Sequence, residues 1–346
     1  MESIERVYNA FKFKEVDRIP VIPQLTYASA LWVNNTITEC MNNAEKQYKA
    51  LINAYKECKY DGIYAGWEGS FNLLASAMGA NLKYTDENPP SVEIPPVSKI
   101  EDLKKFIEEN EKSDNSFVNY KLINTNITLI KKLKSNVNNV PILSYIPGPF
   151  TYVGVISGLT KLMINVIRNP DFIKEAMELV YPFILRLGVL KIEAGIDCIT
   201  IADPSSSSTI ISPDNFRNFG LPFIKRLIED LRKEGSSNLR VGVHICGNTS
   251  PIQKFIEELR PDYFEVDSLV PIAEARKNMV NTCLIGNIAP SELSQKTASE
   301  IRELCINCLD DLNGKGHILS SGCEIAYGTP LENIKEMTNT VKDYKL

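Results

Sequence analysis

Three residues from two distant parts of the chain have the side chains of a zinc site. His244 and Cys246 stand two apart at the end of an apolar run, and Cys323 follows another apolar run much later. Residues two apart in a strand project from one face, so His244 and Cys246 are placed to bind one ion. Three such ligands leave zinc an open position for a substrate. The pattern predicts a catalytic zinc, with a core histidine and two buried cysteines as the alternative.

Eight short apolar runs bounded by turn residues predict the strands that must position these ligands. They are Ile19–Pro23, Gly62–Ala65, Pro141–Tyr145, Cys198–Ala202, Arg240–Cys246, Tyr263–Val266, Thr282–Asn287 and His317–Ser321. Helix-like segments alternate with them, which is typical of parallel strands with helical crossovers. Eight such units favour an α/β fold, a closed (β/α)8 TIM barrel, in which strands five and eight bring Cys246 and Cys323 to one rim.

A single barrel accounts for the length of the chain. We expect residues 1–346 to form one domain, because this many residues can bury one large core. The segment 101–139 is polar and rich in Asn and Lys. It is predicted to be a helical insertion on the flank of the barrel and not a second domain.

Composition excludes several classes of protein. The formal net charge is -5, and Lys and Arg are scattered, which argues against a nucleic-acid partner. The first twenty residues carry charges throughout, and no apolar run is long enough to cross a membrane. We therefore expect a cytoplasmic protein without a membrane partner. Its eight cysteines would stay reduced, which favours metal binding or chemistry over disulfides.

In a (β/α)8 barrel the active site lies at the carboxyl ends of the strands. Asp203 follows the fourth strand, Glu265 lies in the sixth and Asn287 ends the seventh. Tyr145 ends the third strand and Trp67 follows the second. Asn287, Tyr145 and Trp67 are candidates to line a cofactor-binding mouth, with rim packing as the alternative. Asp203 is a candidate catalytic residue, either handling protons or supporting the site, with turn formation before Pro as the alternative.

Motifs along almost the whole chain resemble the uroporphyrinogen decarboxylase superfamily. Within it, the pattern His-x-Cys followed after a long gap by Cys is similar to the zinc-dependent, cobalamin-linked methyltransferase branch, which includes the methylcobamide:coenzyme M enzymes. The other matching segments are Arg18-Ile19-Pro20-Val21, Gly148-Pro149-Phe150-Thr151, Ala194-Gly195-Ile196-Asp197, Gly286-Asn287-Ile288-Ala289-Pro290, and Gly322-Cys323 with Gly328-Thr329-Pro330-Leu331-Glu332-Asn333. The resemblance implies a TIM barrel of the uroporphyrinogen decarboxylase type.

One loop departs from the decarboxylases that the chain resembles. Those enzymes carry an arginine-bearing loop after the first strand that holds the carboxylates of a porphyrinogen. Here that loop is residues 24–32, Gln-Leu-Thr-Tyr-Ala-Ser-Ala-Leu-Trp, without Arg or Lys. A substrate with many carboxylates finds no cationic clamp there, so decarboxylation is disfavoured.

The resemblance implies transfer of a methyl group from a methylated corrinoid to a thiol activated by zinc, such as coenzyme M. Base-off corrinoid proteins carry an Asp-x-His-x-x-Gly motif, and neither histidine of this chain stands in one. The methylcobamide is therefore expected to arrive on a partner corrinoid protein. Glu265 is predicted as an exchangeable fourth zinc ligand that the thiol displaces, with a hydrogen-bonded rim carboxylate as the alternative.

Two other functions stay open at the level of sequence. The zinc could act as a Lewis acid on a methoxy or methylamine donor while a corrinoid protein accepts the methyl group. The chain could also be a non-catalytic barrel that binds a corrinoid or a partner and holds a structural zinc.

Overall fold

Seven parallel strands form one curved sheet in the computed structural model, which describes residues 1–66, 70–112, 120–312 and 314–345. The strands in chain order are β1 (Ile63–Tyr64), β2 (Asn81–Lys83), β3 (Ser91–Ile94), β4 (Ile142–Pro147), β5 (Cys198–Ala202), β6 (Arg240–His244), β7 (Tyr263–Glu265), β8 (Cys283–Ile288) and β9 (His317–Ser321). The large sheet has the order β1-β4-β5-β6-β7-β8-β9, and β2 pairs with β3 separately. The predicted α/β class is thus observed.

Pairing between neighbouring strands brings their carboxyl ends to a common rim. Ala202 at the end of β5 lies beside His244, and His244 lies beside Glu265 at the end of β7. On the far side of the sheet, Ile288 of β8 lies beside Ser321 of β9. The loops that follow these strands therefore start at similar heights, and their side chains meet above the sheet.

The first predicted strand, Ile19–Pro23, is not a strand. Within it only Val21 forms a parallel bridge, with Leu319 of β9. The Asp61 N–H donates to the Val21 carbonyl, so the segment lies between β9 and β1 and occupies the eighth position of the ring. Pro20 and Pro23 have no N–H to give to a ladder, which explains why the pairing stops at one bridge. The structure has seven parallel strands where the sequence predicted eight.

Helices pack on the outer face of the sheet and at its amino-terminal end. They are α1 (Ser3–Phe11), α2 (Ile37–Met41), α3 (Ala44–Cys58), α4 (Ser70–Ala77), α5 (Ile100–Lys112), α6 (Lys121–Asn136), α7 (Pro149–Ser157), α8 (Leu159–Arg168), α9 (Pro170–Glu193), α10 (Pro213–Asn215), α11 (Leu221–Glu234), α12 (Gln253–Glu258), α13 (Ile272–Asn278), α14 (Pro290–Gln295), α15 (Ala298–Asp310) and α16 (Leu331–Asp343). No single helix within the described ranges has the length and apolar character to cross a membrane, although α7 and α8 together pass that test as a pair bent by 115°.

The region between β1 and β4 is more elaborate than the sequence predicted. The predicted helical insertion, 101–139, contains α5 and α6, and residues 113–119 lie outside the described part of the chain. Because α6 packs against β4, α3 and α9, it belongs to the ring of helices around the sheet. The antiparallel pair β2 and β3 was not predicted, since its strands are short and mostly exposed.

Helix α1 closes the amino-terminal end of the sheet. Its apolar residues Val7, Ala10 and Phe11 pack into the cluster inside the sheet, and the Phe11 ring stacks on Tyr263 with centroids 5.1 Å apart. A separate, larger apolar cluster fills the space between the sheet and the outer helices. The interior is therefore closed at one end and accessible from the rim at the other.

A buried carboxylate ties α1 to the irregular first segment. Asp61 is fully buried and pairs with Arg6 of α1 at 2.8 Å and with Arg18 at 2.7 Å. The same carboxylate accepts a hydrogen bond from the Val21 N–H at 2.9 Å. Asp61 thus holds in place the segment that the strand ladders leave almost unpaired.

We expect Asp61→Ala to lower the free energy of unfolding by about 3–5 kcal/mol, because it removes the buried carboxylate that pairs with both Arg6 and Arg18. Urea denaturation followed by circular dichroism measures this. Asp17→Ala is the matched control, since Asp17 pairs with the same Arg6 but is 42% exposed, and should cost about 1 kcal/mol or less. Equal losses in the two variants would contradict the role given to Asp61.

Candidate metal centre

The structure brings the three predicted ligands together at the rim. The His244 Nε2 atom lies 2.9 Å from the Cys246 sulfur and 3.9 Å from the Cys323 sulfur, and the two sulfurs are 3.7 Å apart. Among the described residues, these three form a group whose ligand atoms lie within 4.8 Å of one another. One histidine nitrogen and two sulfurs therefore converge on a single point.

These separations fit a metal of zinc's size. Zinc bonds of about 2.3 Å to sulfur and about 2.0 Å to nitrogen, at tetrahedral angles, place two sulfurs about 3.8 Å apart and sulfur and nitrogen about 3.5 Å apart. The sulfur–sulfur distance of 3.7 Å and the longer nitrogen–sulfur distance of 3.9 Å are close to those edges. The shorter 2.9 Å contact is that of a hydrogen bond, and it must open for an ion to enter.

Two turns place the cysteines. The predicted strand Arg240–Cys246 ends two residues early, at His244, so Cys246 stands in the loop and not in β6. Gly247 follows with a φ of +84°, a conformation that glycine adopts without strain, and its N–H donates to Asp267. Before Cys323, a Cβ on Gly322 would come within 2.5 Å of the Ser268 nitrogen, so only glycine fits.

Glu265 lies behind His244. Its Oε2 atom is 3.3 Å from the His244 Nδ1 atom, on the side of the ring away from the cysteine contact at Nε2. Its Oε1 atom accepts hydrogen bonds from the Tyr64 and Thr200 hydroxyls, each at 2.8 Å. The Tyr145 hydroxyl donates to Oε2 at 3.3 Å. As placed, Glu265 lies at ion-pair distance from the imidazole, and its exchange onto a metal stays a prediction.

Protons occupy the site when no metal is bound. Burial opposes a charge on His244, but a hydrogen bond with Cys323 and the Glu265 carboxylate outweigh it and raise the pKa of His244 to about 9. The hydrogen bond between the two sulfurs lowers the pKa of Cys323 and raises the pKa of Cys246. At neutral pH the imidazole and one thiol are therefore protonated, and a divalent cation must displace both protons.

Two other predicted residues serve the loops. Asp203 is fully buried, and its carboxylate accepts from the Thr151 N–H at 2.8 Å and the Ser206 hydroxyl at 2.7 Å. Burial raises its pKa. The Asn287 amide donates to the carbonyls of Asp267 and Val270. These contacts favour a structural role for both residues. They do not test the catalytic role predicted for Asp203 or the cofactor-binding role predicted for Asn287.

The predicted aromatic residues differ in what the structure describes. Tyr145 lines the cavity above the ligands, stacks on Tyr64 with centroids 5.1 Å apart, and meets the His244 ring edge-on at 6.5 Å. Trp67 lies outside the described residues. Tyr145 is therefore in contact with the site, next to both Glu265 and His244.

Above the three ligands lies a cavity of about 630 Å³, the size of a small-molecule site. Its floor carries the ligand set, and its walls include apolar residues from loops that follow several strands. Among them are Phe71, Val92, Val155 and Leu159. The ligand set is thus reachable from the rim and not sealed in the core.

Sequence reasoning missed Glu324, which lines this cavity next to Cys323. It is partly exposed to the cavity, and its Oε1 atom accepts from the Thr26 N–H, the Thr26 hydroxyl and the Tyr27 N–H, at 2.9, 2.7 and 3.3 Å. Burial raises the pKa of Glu324 to about 8. Its position directly after a predicted metal ligand was the only local signal.

Comparison with known proteins places this chain in a family. The uroporphyrinogen decarboxylase (URO-D) model matches residues 2–344. The chain belongs to the uroporphyrinogen decarboxylase family. The family predicted from the sequence is therefore confirmed.

Relatives over the whole chain are named as methyltransferases. The methylcobamide:CoM methyltransferase MtbA of Methanosarcina mazei is 25% identical over 99% of this chain and 98% of its own length. MtaA of Methanosarcina barkeri, also named a methylcobamide:CoM methyltransferase, is 26% identical over 98% and 97%. A uroporphyrinogen decarboxylase of Thermodesulfovibrio yellowstonii is 25% identical, over 78% of this chain and 76% of its own length. These are the relatives that the resemblance implied.

The fold is also that of a solved structure. A methyltransferase from Methanosarcina mazei superposes with a TM-score of 0.86 at 22% identity, covering 99% of both chains. The likeness extends over the whole chain and supports a TIM-barrel-like fold.

We expect the purified protein to bind one zinc per chain, and Cys246→Ser or Cys323→Ser to weaken zinc binding by at least a hundredfold, because each removes a thiolate from the ligand set. Competition with a chromophoric chelator measures the affinity, and circular dichroism checks folding.

The control is Cys305→Ser, which removes a buried thiol of α15 outside the ligand set. It should keep the affinity of the parent protein. A Cys323→Ser variant that folds and binds zinc as tightly as Cys305→Ser would rule out the proposed centre.

Proposed function

We propose that this protein is a zinc-dependent methyltransferase that moves a methyl group from a methylated corrinoid to a thiol bound beside His244, Cys246 and Cys323. The observation that carries the proposal is the convergence of these three ligand atoms on the floor of an open cavity. Three protein ligands with access to solvent are typical of catalytic zinc, whereas structural zinc has four.

The relatives support the same chemistry. Proteins named methylcobamide:CoM methyltransferases align with nearly all of this chain and nearly all of their own length. Because the family also contains decarboxylases, membership alone does not choose between the two activities. The site favours methyl transfer to a thiol, since sulfur and imidazole ligands are suited to binding a thiol beside a metal.

The ligand set determines which charge the site presents. Zinc held there would bind the thiol sulfur and lower its pKa, so that a thiolate exists at neutral pH. Two thiolates and a neutral imidazole already cancel the charge of the metal, which leaves the substrate sulfur electron-rich. The thiol proton passes to solvent. The sulfur would then bond to the methyl carbon of the methylated corrinoid, and the cobalt–carbon bond would break with its electron pair left on cobalt.

Glu265 and its neighbours keep His244 in position for this. The carboxylate faces the His244 Nδ1 atom at 3.3 Å and favours a proton there, which leaves Nε2 as the ligand atom beside the sulfurs. The Tyr64 and Thr200 hydroxyls hold the carboxylate at 2.8 Å each. The imidazole is thus fixed before the substrate arrives.

The corrinoid is proposed to be brought by a partner protein. The chain has two histidines: one is the ligand His244, and the other, His317, is fully buried and lies 3.0 Å from the Gly286 carbonyl. Burial lowers the pKa of His317 to about 4. Neither histidine is free to take the place of the corrinoid's own base as a cobalt ligand. In this proposal the partner protein therefore binds the corrinoid.

Decarboxylation of a porphyrinogen is disfavoured by the loop after the first segment. The backbone of Thr26 and Tyr27 in that loop donates hydrogen bonds to the carboxylate of Glu324. Donors that would hold a substrate carboxylate are therefore already used within the protein, and the loop has no Arg or Lys.

We expect zinc-loaded protein to demethylate free methylcobalamin when small thiols are added, with turnover that depends on both zinc and thiol. The cobalamin absorption spectrum follows the reaction. Cys323→Ser should lose at least a hundredfold in rate because the thiol is no longer activated, and Cys305→Ser should keep its activity.

Absence of turnover with every thiol, despite one bound zinc, would contradict this function. Loading of reduced cobalamin from a methoxy or methylamine donor in the same protein would then identify the reverse, donor-side reaction.

A further inference from the structure

The cavity above the ligand set is lined by carboxyl groups close to the metal site. Glu324 directly follows the ligand Cys323 and lines the same cavity as His244 and Cys246. Glu93, next to β3's Val92, lines its outer part. Among the described residues around this cavity, no Lys or Arg is present. Burial favours the protonated form of Glu324, and a cationic group beside it would favour the carboxylate.

The Glu324 side chain is held in place by the protein. The three hydrogen bonds from Thr26 and Tyr27 all reach Oε1. They fix the carboxyl group against the loop of residues 24–32 and leave Oε2 as the oxygen for a ligand. A carboxyl group fixed in this way next to a reaction centre is organised to recognise a ligand, because it loses little freedom on binding.

Such a lining is matched to some substrates and not to others. Sulfonate, phosphate and carboxylate groups are bound in proteins by guanidinium, ammonium or arrays of N–H groups. An ammonium group instead needs carboxylate or carbonyl oxygens. Here the residue that directly follows the predicted ligand Cys323 is Glu324, which carries a carboxyl group. The N–H groups of Thr26 and Tyr27 already donate hydrogen bonds to that carboxyl group, so they are not available to an anionic substrate.

We propose that the methyl acceptor is a small thiol with a cationic end, an aminoalkanethiol, and that the Glu324 carboxylate binds its ammonium group while the sulfur occupies the metal site. This assignment rests on the proposed function and names the substrate class for it. Glu324 is then a specificity-determining residue, and thiols with an anionic end are poor substrates. The transfer itself is unchanged: the carbon–sulfur bond forms as the cobalt–carbon bond breaks.

Three thiols of equal length test the assignment: 2-aminoethanethiol, 2-mercaptoethanol and 2-mercaptoethanesulfonate. Their binding to zinc-loaded protein is measured by calorimetry without corrinoid, and their rates with methylcobalamin separately. We expect the amine to bind at least about tenfold more tightly than the sulfonate, as two opposite charges close together in a partly buried site require. Added salt should narrow the difference.

The Glu324→Gln variant is the decisive arm, because the thiols differ in their own pKa and the amine has its own affinity for metals. Gln keeps the oxygen that accepts from Thr26 and Tyr27 but removes the charge. The ratio of amine to sulfonate affinity should fall by about tenfold in this variant. Glu303→Gln, an exposed change on α15, removes the same charge far from the cavity and should leave the ratio unchanged.

Two results overturn the assignment alone. In the first, the parent protein binds the sulfonate most tightly and methylates it fastest. In the second, a folded Glu324→Gln variant keeps the ratio of amine to sulfonate affinity of the parent protein. If no thiol binds to the zinc-loaded protein or is methylated, the proposed function fails and takes this assignment with it.

Discussion

The functional part of this fold depends on the curvature of its sheet. Two of the three ligands come from the end of β6 and one follows β9, with β7 and β8 between them. In a flat sheet three strand spacings would separate them by about 14 Å, yet the Cys246 and Cys323 sulfurs are 3.7 Å apart. The curvature of the sheet is therefore what brings the three side chains together. The segments that maintain this curvature are therefore important to function, although they lie far from the three side chains.

Electrostatics gives the same region its second constraint. Two sulfurs, three carboxyl groups and an imidazole lie in or next to one cavity, and the described residues that line it include no Lys or Arg. A divalent cation would resolve the conflict between the sulfurs, and hydroxyl groups from neighbouring strands donate hydrogen bonds to Glu265. Glu324 is stabilised differently, by the N–H groups of a loop. Glu265 and Glu324 thus each have their own set of donors, whereas the two sulfurs would need an ion.

The grouping of His244, Cys246 and Cys323 was predictable from the sequence because it depends on short-range spacing and one topological rule. His244 and Cys246 are two residues apart, so they stay close together although Cys246 lies in the loop after β6, and strand counting placed Cys323 at the same rim. Strand bounds were predicted within a few residues for β5 to β9, where burial on both faces gives a continuous apolar run.

What the sequence did not predict involves contacts between distant segments. Prolines at the first predicted strand removed the N–H groups that pairing needs, which an apolar pattern alone does not reveal. Glu324 acquires its partners from Thr26 and Tyr27, almost 300 residues away in the chain. Likewise, the hydroxyls around Glu265 belong to strands β1, β4 and β5. Such groups are recognisable as a site only when the ring is closed.

X-ray absorption at the zinc edge tests most directly whether the substrate thiol binds to a zinc held by these residues. In the free protein we expect zinc to be coordinated by one imidazole nitrogen, two sulfurs and one light atom. Addition of a thiol that is a substrate should raise the sulfur count to three, with zinc–sulfur distances of about 2.3 Å. A sulfur count that stays at two when the thiol is bound would contradict direct binding of the substrate to the metal and, with it, the proposed role of this centre.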